Sequence, residues 1–275
     1  MTHYDEIDAM NQSTLKEGLV SMKHLKGVID GTTPRKESAA FAFGTLFHTR
    51  VLEPKRFFDT HRVMPAGDGR KTEVKAARAE AEAAAPEGTV WLTQAEWSQI
   101  DAMATAVYNH TIVKVFRARG GAEEVLTAEL WGVKCKGRVD KISHDKGDGP
   151  SLILDVKTAD KLTDHAIKNA MAEWGYFIQA AFYLDLATAA YRGTKEFQFK
   201  MVMVEKTPPY DVRLITINQW AVAAGRHEYR CLLGDYKRCL ETGYWPGISD
   251  EDDDLELPAW KMKQYESVDL EACLV

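Results

Sequence analysis

The sequence is poor in three features, and each scarcity excludes a class of protein. Cysteine is scarce: the four residues, at positions 135, 231, 239 and 273, form no Cys-x-x-Cys pair and no zinc-like spacing with histidine. That excludes a disulfide scaffold and a structural zinc site and leaves four reduced thiols. Long apolar runs are missing too, since no stretch reaches the roughly 18 residues that a membrane-spanning helix needs. The first residues place Asp5, Glu6 and Asp8 ahead of any apolar stretch, unlike a secretory leader, so a cytoplasmic protein with no membrane partner is expected. Positive charge is also in deficit, with 41 acidic residues against 35 basic and a formal net charge of -6. Taken whole, that balance argues against a nucleic-acid partner.

The deficit is local. Residues 250–275 carry nine acids and two lysines, six of the acids in Asp250-Glu-Asp-Asp-Asp-Leu-Glu256, so this stretch holds -7 and residues 1–249 hold +1. The default for such a run is solvated surface; contact with a partner or mimicry of nucleic acid are the alternatives. Beyond it, Leu257 to Val275 includes Trp260, Met262 and Tyr265, enough for a packed terminal element or a docking segment. With 45% apolar residues in 275, the chain can bury a core. One domain over residues 1–249 with a helical N-terminal part, followed by an acidic tail over 250–275, is the expected organisation.

Periodicity supplies the elements. A helix capped near Asn11 or Ser13 opens the chain, with a polar loop at 31–34. A second helix is predicted from about Ser38 to Leu52, stopped by Pro54, with Gly44 and His48 one turn apart and Phe47 and Val51 as an apolar pair. Residues 68–86 are charged and alanine-rich, as in an exposed helix or a mobile excursion. A helix from about Gln94 to Arg117 follows. The period then becomes two from Ala122, through two segments split by a glycine-rich turn at 147–150, which predicts antiparallel strands with the last one buried. A helix over about Ala166–Tyr191, strands at Phe197–Val204 and Val212–Ile217 and a closing helix over Asn218–Thr242 complete a mixed α/β (α+β) architecture, a central sheet flanked by helices.

The strongest local feature is Gly137-Arg-Val-Asp140 followed by Asp155-Val-Lys157-Thr158. Asp155 and Lys157 are two apart on one strand and share a face, and Asp140 can stand opposite if the preceding strand is the neighbour. Two carboxylates and the Val156 carbonyl make an oxygen-rich site suited to a hard divalent ion such as magnesium. Such a site hydrolyses phosphodiesters: the ion polarises the phosphate, and the Lys157 ammonium orients water or offsets developing charge. A structural ion pair between Asp140 and Lys157 is about equally compatible with the tetrad alone.

Alternation also places Lys136 and Arg138 on the face of Asp140, a basic lining for phosphate or else a solvated strand face, with Glu129 on the strand leading in. Gln179 and Tyr183, one turn apart on an otherwise apolar helix face, could position backbone phosphate, brace Lys157 or be hydrogen-bonded core residues. His48 alone is more often an ordinary helix histidine, but its imidazole could complete a metal site or orient a phosphate if its helix crosses the sheet edge.

As an ordered set, His48, Asp140, Asp155-Val-Lys157 and Gln179-x-x-x-Tyr183 resemble the signature of the PD-(D/E)xK nuclease superfamily in its RecB-like branch. The closer resemblance is to the phage and prophage exonuclease group of RecE, or exodeoxyribonuclease VIII. It covers most of residues 7–249 through Asn11-x-Ser-x-Leu-Lys16, Gly44-Thr-Leu-Phe-His-x-x-Val-Leu-Glu-Pro54, Gly137-Arg-Val-Asp140 and Asp155-Val-Lys-Thr158. It continues in Tyr176-x-x-Gln-Ala-Ala-Phe-Tyr183, Val204-Glu-Lys-x-Pro-Pro-Tyr210 and Thr242-Gly-x-Trp-Pro-Gly247. One departure is Val139, where the superfamily motif usually has proline.

The resemblance implies a restriction-endonuclease-like core and a metal-dependent exonuclease that digests one strand of linear double-stranded DNA from its 5′ end, leaving 3′ overhangs for annealing recombination. It implies magnesium, replaceable by manganese, with two ions per site. Asp140, Asp155 and the Val156 carbonyl would bind metal, His48 would lie at it and Lys157 would be the catalytic lysine. Gln179, Tyr183, Arg138 and Lys136 would support the site or the DNA, and Glu129 is a further candidate acid. A ring-like homo-oligomer, a trimer rather than a tetramer, and a single-strand annealing protein are the implied partners. Two other readings stay open: a structure-selective or single-strand endonuclease of the same superfamily, and a noncatalytic DNA-binding or assembly protein.

Overall fold

The computed structural model describes residues 4–33, 39–111, 120–144, 149–249 and 254–268. In chain order its elements are α1 (Gln12–Leu15), α2 (Met22–Ile29), α3 (Ala39–Leu52), α4 (Pro54–Thr60), β1 (His61–Val63), α5 (Thr72–Ala84), β2 (Val90–Leu92) and α6 (Gln94–Asn109). They continue with β3 (Ala122–Leu130), β4 (Val133–Ser143), β5 (Ser151–Ala159), α7 (Asp164–Glu173), α8 (Tyr176–Ala190), β6 (Phe197–Glu205), β7 (Val212–Thr216), α9 (Gln219–Thr242) and α10 (Ala259–Met262).

The central sheet has five strands in the order β3-β4-β5-β6-β7. All neighbours are antiparallel except β5 and β6, which are parallel in the register Asp155 to Met201 and Lys157 to Met203. A parallel pair needs a crossover, and α7 and α8 supply it. β3 and β4 turn on Trp131-Gly132, both at positive φ (54° and 76°), as a two-residue type I′ hairpin requires. β1 and β2 form a separate parallel pair. This is the mixed sheet flanked by helices that the periodicity predicts.

Both faces of the sheet are covered, which explains why β5 carries apolar residues on both of its sides from Leu152 to Val156. On one face Ile153, Phe199, Met201 and Met203 pack against Phe182 and Leu186 of α8 and Tyr229 and Leu233 of α9. On the other, Leu154, Val156, Val202 and Val204 meet Phe47 and Val51 of α3 and Ile100, Met103 and Val107 of α6. Asp155 and Lys157 interrupt the first of these faces.

Three local expectations change. The single helix over Ala166–Tyr191 is two helices, because Gly175 takes a left-handed conformation (φ 60°) between α7 and α8 and re-aims the second. The helix from Gln94 ends at Asn109, where His110 turns extended (ψ 151°), and positions 112–119 lie outside the described residues. Ser38, positions 147 and 148 of the predicted turn at 147–150, and residues 250–253 of the acidic run at 250–256 also lie outside them. The stretch 72–84 is the exposed helix its composition suggests, with no buried residue. In the tail, none of residues 254–268 is buried and Leu255, Leu257 and Trp260 are exposed, so this part does not pack as a terminal element. Among the described residues no helix is long and apolar enough to cross a membrane.

Candidate active site

Asp155 is almost fully buried, at 1% exposure, and both its oxygens face named groups. Gln179 Nε2, also buried, donates to Asp155 Oδ1 at 2.8 Å, and Lys157 Nζ lies 2.7 Å from Oδ2. Oδ2 makes an ion pair there but has no aligned hydrogen-bond donor. Burial pushes the Asp155 carboxyl above its ordinary value against the pull of Lys157, with Asp140 adding to the rise. For Lys157 burial works downward, and the charges of Asp155 and Asp140 together outweigh it and hold the ammonium up. The ion pair of this strand is therefore Asp155–Lys157 and not the Asp140–Lys157 pair considered from the sequence.

The β4–β5 ladder pairs Lys141 with Leu154 and runs outward to Ser143 and Leu152, so Asp140 lies just past its end. There the strands part, and Asp140 Oδ2 accepts the Val156 N–H at 2.7 Å. The Val156 carbonyl meets His48 Nε2 at 2.5 Å. A carbonyl only accepts, so Nε2 carries the hydrogen, and Nδ1, 3.6 Å from Asp140 Oδ2, faces the acids. The sequence expectation made this carbonyl a metal ligand; here its oxygen accepts from His48, and the peptide nitrogen donates to Asp140.

The third acid is Glu123, which sequence reasoning missed. His48, Glu123 and Asp140 each place a ligand atom within 4.8 Å of the other two. Glu123 lies on β3 at the position facing Asp140, and its backbone is left-handed (φ 52°), which is costly for a non-glycine residue and typical of functional sites. Burial first, and then the Asp140 charge, raise the Glu123 carboxyl above its ordinary value, while Arg138, at 3.0 Å, and His48 oppose the rise. Two carboxylates crowded beside one imidazole, next to the unaligned Asp155 Oδ2, fit a hard divalent cation that also accepts nitrogen. The arrangement is a single plausible metal-binding triad.

Glu129 does not join it. It pairs with Lys134 beside the hairpin, six residues along β3 from Glu123, on the order of 20 Å of extended chain. Lys136 is buried and spent on structure: its Nζ donates to Tyr4 O at 3.0 Å and Ile7 O at 2.8 Å, strapping the N-terminal segment to β4 instead of lining a phosphate path. Arg138 is exposed and bridges Glu123 to the Tyr4 ring. Tyr183 OH donates to Arg138 O at 3.1 Å, and burial raises its phenol above the ordinary value. Gln179 thus braces Asp155 and not Lys157, and Tyr183 braces β4.

A second lysine stands at the site. Lys16, at the end of α1, donates from Nζ to Trp174 O at 2.7 Å. Burial and then Lys157 bring its ammonium down to about 8, while Asp155 and Glu17 act in the other direction. On the other side of Gly175, the Tyr176 ring lies 5.5 Å from Lys157 Nζ.

Fold and site together define a PD-(D/E)xK-like nuclease domain, with its acids and lysine on adjoining central strands and a metal-binding triad consistent with phosphodiester hydrolysis. The chain belongs to the family described as "PDDEXK-like domain of unknown function (DUF3799)", matched over residues 11–256. Among solved structures it is similar to a protein from Eubacterium rectale named "Putative exonuclease", with 14% identity and a TM-score of 0.59 over 95% of this chain and 94% of that one. At that identity the likeness is one of fold. The structure of SSO0001, at 14% identity over 77% of this chain and 84% of that one, has a TM-score of 0.26. No curated protein matches.

Proposed function

We propose that this protein is a metal-dependent exodeoxyribonuclease of RecE type, digesting one strand of linear double-stranded DNA from the 5′ end and leaving 3′ overhangs. The observation that carries the reading is the His48–Glu123–Asp140 cluster beside the buried Asp155–Lys157 pair, two separate devices meeting where β4 and β5 part. The order of the sequence motifs supports the RecE type, and the exonuclease name borne by the fold relative is in keeping with it.

Magnesium or manganese held by His48, Glu123 and Asp140 would supply Lewis acidity towards a phosphate and its attacking water. The protein's own groups do the rest. The Val156 peptide fixes the His48 ring and the Asp140 carboxylate, so the ligand set is assembled beforehand. Asp155, braced by Gln179, holds the Lys157 ammonium in place. Lys157 then offers positive charge to the phosphate oxygens as charge builds on them, in a site partly closed to water. A second ion, a ring-like trimer and a single-strand annealing partner belong to the same proposal.

Linear duplexes labelled separately at each end, with covalently closed circles as a control, test it in magnesium, manganese and EDTA. Metal-dependent release from 5′ ends only, with circles intact, supports the proposal. Cutting of circles would favour an endonuclease of the same fold, and binding without cleavage in either metal would favour a DNA-binding protein. Calorimetric metal titration gives one or two ions per chain, and light scattering separates a trimer from a monomer.

A further inference from the structure

We propose that Lys16 and Trp174 form a nucleotide-binding step on the rim of the site, Lys16 taking a backbone phosphate and the Trp174 indole stacking on the neighbouring base. The inference rests on the nuclease reading and goes beyond it by naming where the substrate strand is gripped.

The break between α7 and α8 is tied to the site from both sides. On the inner side, Tyr176 lies over Lys157 and Gln179 holds Asp155. On the outer side, Trp174 is 58% exposed, and its carbonyl is held by Lys16 Nζ. Gly175 allows this closeness: a Cβ there would lie 3.2 Å from Lys16 Cδ, and the positive φ already disfavours a side chain. Isolated surface tryptophans are ordinary. This one differs in position, since it is two residues from Tyr176 and its backbone anchors a lysine whose charge is felt by Lys157 and Asp155.

The charge pattern points the same way. Lys157 is matched by Asp155, whereas the hydrogen-bond acceptor of Lys16 is a neutral carbonyl, which leaves the Lys16 ammonium able to meet an anion. An ammonium next to an exposed indole is the combination that single-stranded nucleic acid uses, phosphate on the cation and base on the ring, without sequence preference. An exonuclease needs such a grip on the strand it digests.

The competing explanation is structural: Lys16 only satisfies a carbonyl at the end of α7. Trp174→Ala separates the two, because it deletes the indole and keeps the carbonyl. Affinity is measured by anisotropy of fluorescein-labelled linear duplex in EDTA, and kcat and KM with metal. We expect Trp174→Ala to weaken binding about tenfold, on the order of one lost base stack, and to raise KM more than it lowers kcat, with Trp174→Phe restoring most of the loss. Lys16→Gln should flatten the slope of log K against log salt by about 0.7–0.9, one phosphate contact. Wild-type affinity and KM in Trp174→Ala, or a lower melting temperature with an unchanged salt slope in Lys16→Gln, would overturn the subsite while the nuclease reading stands. If the wild-type protein neither binds nor cuts DNA, the nuclease reading fails and the subsite with it.

Discussion

Glu123 faces Asp140 across the β3–β4 ladder on a left-handed backbone, and both carboxylates lie within 4.8 Å of a His48 ring nitrogen. Nothing in an ordinary strand requires that conformation, and holding a non-glycine residue in it costs on the order of 1–3 kcal/mol. A cation bound there would relieve the crowding of the two acids. Glu123→Gln should therefore remove most of the rise in melting temperature produced by manganese or magnesium, and lower metal-dependent hydrolysis by at least about a hundredfold, as when a charge-stabilising group is lost. Glu129→Gln should match the wild type in both measurements. A Glu123→Gln protein with full activity and an intact metal shift would remove Glu123 from the site.

Gln179 offers a test of how Asp155 is held. Its amide gives the buried carboxylate its aligned donor on Oδ1, so Gln179→Leu, similar in shape, leaves that oxygen bare. The cost expected is about 1–3 kcal/mol. At about 2–4 °C per kcal/mol for a chain approaching this size, thermal melting should fall by several degrees. Activity should fall with it through kcat, because Asp155 positions Lys157. An unchanged melting temperature with a raised KM would instead make Gln179 a DNA contact.

A pH effect follows from a histidine remote from the acids. His61, buried and stacked on Phe57 at 4.6 Å, has its pKa lowered from 6.5, first by burial, with Arg56 and Arg62 adding to the effect against the Phe57 carbonyl. The folded protein thus holds His61 neutral while the unfolded chain takes up a proton as pH falls through about 6.5. Its contribution to stability is present above that pH and is lost as pH falls towards the lower folded value. His144, also lowered, acts in the same direction. Melting curves between pH 8 and pH 5 should show the loss, and His61→Phe should shrink it without abolishing it. An undiminished acid loss in His61→Phe would show that His61 does not contribute.

The part of the site on β5 was legible because two charges interrupt an otherwise apolar strand, and Gln179 because it interrupts an apolar helix face. Glu123 was not, and the reason is register. Counting outward from the Trp131-Gly132 turn places Glu123 against Asp140, but tryptophan at the first position of a type I′ turn gives no turn signal, so the sequence offers no origin for that count and does not separate Glu123 from Glu129. Alternation put Lys136 on the right face of β4 but could not show that residues 4–10 cover it. The break at Trp174-Gly175 was hidden because a single glycine in a helical pattern is usually tolerated. Local pattern identifies which residues are unusual, whereas long-range register decides which of them meet.

Gly137, in the Gly-Arg-Val-Asp segment, links that register to the chemistry. A Cβ there would lie 2.8 Å from Leu186 Cδ2 and 2.9 Å from Tyr183 Cε1, so α8 sits on β4 at a distance that only glycine permits. Both side chains are buried, leaving little room for a rotamer change, and overpacking of this kind costs about 1–3 kcal/mol. The helix pushed away carries Tyr183, bonded to Arg138 O, and Gln179, bonded to Asp155, whereas the metal triad sits on α3, β3 and β4. Gly137→Ala should therefore lower the melting temperature by several degrees and reduce kcat, while calorimetric metal affinity stays within about threefold of wild type. If metal affinity falls in step with kcat, the helix supports the triad as well, and the division between a metal device and an Asp155–Lys157 device does not hold.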